Sequence, residues 1–306
     1  MKEFDISVIV LTYNPNYKKL FNTLKSIINQ KECKLEIIIS DDGSTQFDKQ
    51  LIVKWMQQND FNNYLVLDNK INRGTVINVY NSMKLAKGKY VKLISPGDYL
   101  YCNSTLKDVI NYMKENEYRI SFGKAVYYYN NCDEITILNR RNPRDLTPYI
   151  NNNYKKVKKD YLYYQDYILG AAIICETDLF YSYILKIKDN VKYAEDCAYI
   201  MMIADGINIH FWDDYLIWYE CNTGISTSGS AEWTKKIKLD NSQCFKIIAK
   251  EHPDYKNVCK IHYFEKYNKN LIFRLKFKCR EMLLKIKNKN KSENYKMNEL
   301  KKIIEE

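Results

Sequence analysis

The sequence predicts an α/β protein built on a single, Rossmann-like, mainly parallel sheet flanked by helices, with a basic helical extension after it. Three observations predict this. Short apolar runs rich in β-branched residues, Ile6–Leu11, Leu35–Ile39, Tyr64–Leu67 and Tyr90–Ile94, recur along the first hundred residues, and such runs suit strands buried on both faces. Segments of helical apolar spacing separate them, the rhythm of repeated strand–helix–strand units. Three of the four runs stop at polar turns, Thr12-Tyr13-Asn14, Ser40-Asp41-Asp42-Gly43-Ser44 and Ser95-Pro96-Gly97-Asp98, and open parallel sheets bind ligands at the carboxyl ends of their strands.

The elements follow in order. After the first strand, Leu20, Leu24, Ile27 and Ile28 keep a helical period. A helix around Leu51–Gln57 follows the second strand. Asn72-Arg73-Gly74 precedes a helix over about Val76–Ala86, stopped by Gly88. The fourth strand leads to a helix near Thr105–Glu115. Beyond it, Ile120–Tyr128 reads as a strand, and Asn130–Lys159, polar and basic with Pro143 and Pro148, as an excursion or flexible loop. Tyr167–Cys175 is strand-like or buried, Glu195-Asp196 opens a helix through Ala204, and Ile207–Phe211 reads as a strand. Helical patterns dominate from Ser230, where Ile272, Leu275, Met282, Leu283 and Ile286 mark an amphipathic basic helix before a frayed Lys/Asn tail.

Composition narrows the class. The chain has 306 residues, 46% hydrophobic, and a formal net charge of +11, which excludes a disordered chain and favours anionic partners. Between positions 269 and 306 twelve Lys or Arg face five Glu, read either as a solvated helical face or as a surface for anionic membrane. No nucleic-acid module accompanies this charge, so no nucleic-acid partner is expected. Nine scattered Cys form no CxxC pair, and His210, His252 and His262 show no ligand spacing; reduced, mostly buried thiols in a cytoplasmic protein are expected. The polar Met1–Asp5 and the brief Ile6–Leu11 run do not read as a signal peptide. The longest apolar stretch, Tyr167–Cys175, is too short for a bilayer span, so membrane contact would be peripheral.

Five segments together, SVIVLTYN (Ser7–Asn14), EIIISDDGST (Glu36–Thr45), NRGT (Asn72–Thr75), AKGKYVKLISPGDYL (Ala86–Leu100) and AED (Ala194–Asp196), resemble the inverting glycosyltransferases of family 2, which have the GT-A fold. The resemblance covers about residues 4–225. It implies a nucleotide-sugar donor, UDP-linked, whose nucleoside pocket is lined by Thr12, Tyr13 and Asn14, with Asp41 accepting from the uracil N–H, Asp42 supporting the loop or ribose and Arg73 near the nucleotide. Asp98 would hold Mg²⁺ or Mn²⁺ with the donor diphosphate, Asp196 would be the general base, and Glu195 would orient the acceptor or share that role. Departures are visible. Relatives carry an Asp cluster where this chain has Ser95-Pro96-Gly97-Asp98, a further Arg where it has Val76–Asn81, and Arg where it has Glu220; the Ser226-Thr227-Ser228 stretch is unassigned.

Each motif also has a plain structural reading. The Asp41–Ser44 run could cap the next helix, Asp98 could cap a Pro-Gly turn, and Glu195-Asp196 could complement a helix N-terminus. The expected organisation is a GT-A domain over 1–228, with a nucleotide-binding half at 1–100 and an acceptor-binding half at 101–228, and a helical extension at 229–306, membrane-peripheral in one reading. The expected activity is hexosyl or N-acetylhexosaminyl transfer to a saccharide or lipid-linked acceptor in surface-polysaccharide assembly, in the cytoplasm or at the inner face of the membrane. Two other classes compete: a catalytically weak sugar-nucleotide-binding module or scaffold, and a nucleotidyltransferase. The latter requires a Gly-rich basic loop that LTYNPNYKK (Leu11–Lys19) lacks.

Overall fold

The computed structural model describes residues 2–131, 134–221, 230–263, 271–287 and 294–305. Its first half follows the predicted alternation. Strands β1 (Phe4–Thr12), β2 (Leu35–Asp41), β3 (Tyr64–Asp68) and β4 (Gly88–Ile94) alternate with helices α1 (Tyr17–Ile28), α2 (Lys49–Gln58) and α3 (Thr75–Met83). All pairings among these strands are parallel. Every residue of β2 is buried, as a strand covered on both faces requires. Helix α1 starts where the Asn16 side chain accepts from Lys19 N at 3.1 Å, and it buries Leu20, Thr23, Leu24 and Ile27 on one side.

The second half turns the sheet into a mixed one. After β5 (Tyr99–Leu100) and α4 (Thr105–Glu115) come β6 (Ile120–Asn131), β7 (Glu134–Leu138), α5 (Thr147–Ile150), α6 (Tyr154–Tyr164), β8 (Ile173–Glu176), α7 (Thr177–Ile187), α8 (Cys197–Ala204) and β9 (His210–Glu220). The nine-stranded sheet runs β3-β2-β1-β4-β8-β6-β9-β5, with β7 on β6. Strand β8 joins β4 and β6 antiparallel, whereas β6 and β9 are parallel. The stretch over 130–159, expected as an excursion or flexible loop, carries elements fixed by tertiary contacts in its described residues: β7 pairs along Tyr127–Asn131, and α6 buries Val157, Tyr161 and Leu162. Tyr167–Cys175 is strand only from Ile173, after a 3₁₀ turn at Gly170–Ala172. Likewise the strand expected from Ile207 begins at His210.

Helices α9 (Ala231–Glu251), α10 (Lys256–Tyr263), α11 (Leu271–Lys287) and α12 (Met297–Glu305) complete the described chain. Helix α9 places Cys244, Phe245 and Ile248 in the same core as α7 and α8. Of the expected frayed tail, residues 288–293 lie outside the described residues; beyond them α12 buries Leu300 in an aromatic cluster with Tyr99, Tyr101, Tyr128 and Trp218, and Tyr101 Oη accepts from Lys296 N at 2.9 Å. Among the described residues no helix is long and apolar enough to cross a membrane. Cys175, Cys197, Cys221, Cys244 and Cys259 are free and buried.

Candidate active site

Parallel register sets Thr12 beside Asp41 at the carboxyl ends of β1 and β2. The Asp41 carboxylate is fully buried. It accepts from Thr12 Oγ1 at 2.9 Å, from Ser44 N at 2.6 Å and from Ser44 Oγ at 2.5 Å. Three of the roughly four acceptor positions of a carboxylate are thus engaged within the loop. Asn14, at φ 46°, donates its N–H to Ser44 Oγ at 2.6 Å. The neighbouring Asp42 clasps the next motif, accepting from Arg73 N at 3.0 Å and Gly74 N at 2.9 Å. The TYN, SDDGS and NRGT segments are therefore one hydrogen-bonded unit. A cavity of about 260 Å³ opens against it, lined by Asp42, Asn69, Ile71, Arg73, Asn78 and Asn81 among others. Tyr13 presents its ring outward, 51% exposed.

The third strand end is acidic and buried. Asp98 is buried, and its Oδ1 accepts from Glu220 N at 3.0 Å. Burial pushes its carboxyl up to about 8, while the same burial pushes the Lys92 ammonium beside it down to about 7. Lys92 Nζ donates to the Ala171 carbonyl. Glu220, almost fully buried, holds Lys19 Nζ at 2.8 and 2.7 Å. Gly97 has φ 103°, and a Cβ there would lie 2.3 Å from Glu220 Oε2. The space a side chain at 97 would need is filled by a carboxylate from β9.

The donor set bears on the divalent ion that the resemblance implies. Asp98 offers one hard oxygen ligand, and the Glu220 carboxylate is already balanced by Lys19. Among the described residues the group of three ligand side chains within reach of one ion is Asp205, Glu251 and His252. It lies at the far end of α8 from Asp196, where Lys186 already pairs with both acids. Asp98 alone could not cage an ion; any ion held there would need donor diphosphate oxygens and water to complete its shell, and the buried, raised carboxyl would have to ionise to bind it.

Glu195 and Asp196 sit where α8 begins. Asp196 is exposed and Glu195 half-buried, while neighbouring protein partly desolvates both carboxyls. Burial raises both carboxyls, Glu195 further because the Asp196 charge opposes its ionisation; Asp196 ionises first. Two residues that the motif reading passed over set this geometry. Gly170 abuts Asp196 so closely that a Cβ would lie 1.9 Å from Oδ1. Asp240, on α9, accepts from Lys192 N, Tyr193 N and Ala194 N at 3.2, 2.6 and 3.0 Å, fixing the loop into Glu195. The same loop reaches the nucleotide-end motifs, since Val76 N donates to Lys192 O at 3.1 Å. Lys92 had a sequence signal, a charge inside an apolar strand; Gly170 and Asp240 had none.

A larger cavity, about 710 Å³, lies between β6, β7 and the inner side of α11. Its walls include Tyr127, Arg140, Arg141, Tyr164, Tyr215 and Phe277. Arg140 stacks over the Tyr127 ring at 5.2 Å, and the buried Tyr127 hydroxyl has no hydrogen-bond partner among the described residues. Glu220, at the end of β9, lies within the described chain, while Ser226-Thr227-Ser228 lies outside the described residues.

With this geometry in place, comparison with known proteins assigns the family. Residues 7–175 match the model of glycosyl transferase family 2, and the chain belongs to that family. It is 30% identical over 129 residues to an uncharacterized glycosyltransferase of Mycoplasma pneumoniae, the MG060 homolog, covering 42% of this chain and 41% of that protein. It is 31% identical over 122 residues to the poly(ribitol-phosphate) beta-glucosyltransferase of Bacillus spizizenii, covering 39% of this chain and 19% of that one. The matches thus span less than half of these relatives. In fold it is similar to S. aureus TarS 1-349, solved with UDP-GlcNAc, with a TM-score of 0.54 at 20% identity over 93% of this chain and 79% of the other. It also resembles a Pyrobaculum calidifontis mannosyltransferase solved with GDP-Man and Mn²⁺, with a TM-score of 0.53 at 15% identity over 85% and 69%. The α/β GT-A fold is thereby established for this chain.

Proposed function

We propose that this family 2 member transfers a hexosyl or N-acetylhexosaminyl group, with inversion, from a UDP-linked donor to a hydroxyl of a polymer or lipid-linked saccharide in cell-surface polysaccharide assembly, in the cytoplasm or at the inner membrane face. One observation carries the reading: the loop that presents the exposed Asp196 carboxylate is hydrogen-bonded, through Val76 N to Lys192 O at 3.1 Å, to the motifs that surround the 260 Å³ cavity. Residues 1–100 form the nucleotide half and 101–228 the acceptor half, with 229–306 as the extension. Thr12, Tyr13, Asn14, Asp41, Asp42 and Arg73 hold the nucleoside, the last acceptor position of Asp41 receiving the uracil N–H. Asp98 holds Mg²⁺ or Mn²⁺ with the donor, and that ion would stabilise the charge on the departing diphosphate. Asp196 takes the proton of the acceptor hydroxyl as its oxygen attacks the anomeric carbon and the bond to the diphosphate breaks. Glu195, the later of the two to ionise, orients the acceptor. The aromatic and guanidinium walls of the larger cavity suit a polyhydroxylated, anionic acceptor, in keeping with the substrate named for the Bacillus relative.

The test is a thermal-shift screen of nucleotide sugars with and without Mn²⁺. A ligand at about a hundred times its Kd stabilises by about 2.7 kcal/mol, so UDP compounds should raise the melting temperature, more so with Mn²⁺, and Asp196→Asn should keep the shift while losing donor turnover. No shift with any UDP compound overturns the reading. A second reading, a sugar-nucleotide-binding module without turnover, is favoured by the single Asp98 in the Ser95-Pro96-Gly97-Asp98 turn. A UDP shift that Asp98→Ala leaves intact, with no donor consumed by the parent chain, would establish it instead.

A further inference from the structure

Helix α11 is anchored through one face and bare on the other. Inward, Phe273 and Leu284 are buried, Arg280 Nη2 meets Asp166 Oδ2 at 2.6 Å and Asp160 Oδ2 at 3.3 Å, and Glu281 pairs with Arg144 at 2.5 Å. Outward, Leu271, Ile272, Leu275, Met282, Leu283 and Ile286 are each 55–68% exposed. At about 100° per residue these six fall within about 120° of arc, with Cys279, also exposed, near its middle. Arg274, Lys278 and Lys285 border the stripe on one side and Lys276 on the other. In a helix of an ordinary globular domain the apolar stripe faces the core. Here the core contacts are made by the opposite side, and a continuous apolar strip with basic margins faces solvent. Isolated exposed apolar residues are common; six on one helical face mark an interaction surface.

We infer that α11 is an interfacial helix that seats the protein on an anionic lipid bilayer, the six apolar side chains entering the headgroup–acyl boundary and the bordering Lys and Arg reaching lipid phosphates. Apolar side chains flanked by long cationic ones suit this interface, because the cationic stems lie along the hydrocarbon while their heads stay hydrated. Six Lys or Arg against the single Glu281 on α11, in a chain of net charge +11, supply charge complementarity to an anionic surface. A protein partner would not require the basic margins on both sides. The helix is also a wall of the 710 Å³ cavity through Phe277 and Glu281, so a docked α11 would hold that cavity at the lipid surface. The inference goes beyond the transfer reaction and is read without donor or turnover, so either can fail while the other stands. The assay is co-sedimentation of the full chain with phosphatidylglycerol-containing or pure phosphatidylcholine vesicles, beside sedimentation velocity without lipid. Truncation before α11 would also remove the buried Leu300, so point variants are used: Leu275→Glu with Met282→Glu, and separately Lys276→Gln with Lys278→Gln and Lys285→Gln. Anionic vesicles should carry the protein down, and both variants should lower the bound fraction at least tenfold with unchanged melting temperature. No vesicle binding, equal binding to neutral vesicles, or binding that the first variant leaves intact overturns the inference. So does a lipid-independent dimer dissolved by Leu275→Glu without vesicle binding, which would assign the face to a second copy.

Discussion

Replacing Gly170 by alanine puts a methyl group into the space that the Asp196 carboxylate occupies. The added carbon would lie 1.9 Å from Oδ1, 2.6 Å from Cγ and 2.8 Å from Oδ2, whereas ordinary contact begins at 3.4 Å. The carboxylate must therefore retreat by about 1.5 Å or the 3₁₀ turn must move, and the turn is held by Ala172 N to Leu169 O at 2.9 Å and by Lys92 at the Ala171 carbonyl. The side chain is the softer of the two. A misplacement of about 1 Å costs on the order of a hundredfold in rate, or about 2.7 kcal/mol of barrier, while overpacking costs about 1–3 kcal/mol of stability. The expected result for Gly170→Ala is a loss of at least a hundredfold in kcat for nucleotide release from the sugar donor, with KM for the donor little changed, since the nucleotide-end motifs are untouched. The assay is nucleotide release across a panel of UDP-sugars, with Asp196→Asn as reference and circular dichroism as the folding check. A folded Gly170→Ala protein with parental kcat would refute the placement of Asp196 as the general base.

Further predictions rest on other contacts. Lys19→Met removes the ammonium that meets the buried Glu220 carboxylate at 2.7 Å; breaking such a pair should cost about 3 kcal/mol in urea unfolding. Adding Glu220→Gln should recover most of that, and a double variant whose cost is the sum of the singles would refute the coupling. His210, stacked on Tyr118 and bonded to Tyr154 Oη, and His262 are both held down to about 4 by burial. Because the folded chain binds these protons less readily than the unfolded chain, their contribution is complete above about pH 6.5 and lost as pH falls toward 4. The loss should be about 2 kcal/mol for the two together, allowing for partial exposure. His210→Gln should flatten that slope of melting temperature against pH, and an unchanged slope would count against the assignment.

Much of this protein is local in its sequence. Strands β1, β2 and β4 were legible because a strand buried on both faces must be apolar along nearly its whole length, whereas β3, at the sheet edge, is only half-buried; α4 was legible because Leu106, Val109, Ile110 and Met113 keep the helical period. The three polar strand ends were legible as a set, since parallel register forces them to one edge. What the sequence left open was direction and partnership. Residues 130–159 read as loop because their strand and helices are stabilised by distant neighbours, β7 by β6 and α6 through Tyr161 in the main core. Periodicity located the apolar stripe on α11 but is silent on whether the stripe faces core or solvent; the Arg280–Asp166 and Arg144–Glu281 pairs turned it outward. Lys19 finds Glu220 across 201 positions, and Gly170, in the turn before β8, leaves room for Asp196 at the start of α8. Such pairs depend on loop closure and on sheet order rather than on local pattern. The sequence by itself determined which strands form and which acids stand at their ends; tertiary structure alone decided which of those acids are clasped by backbone N–H groups and which are balanced by a distant cation.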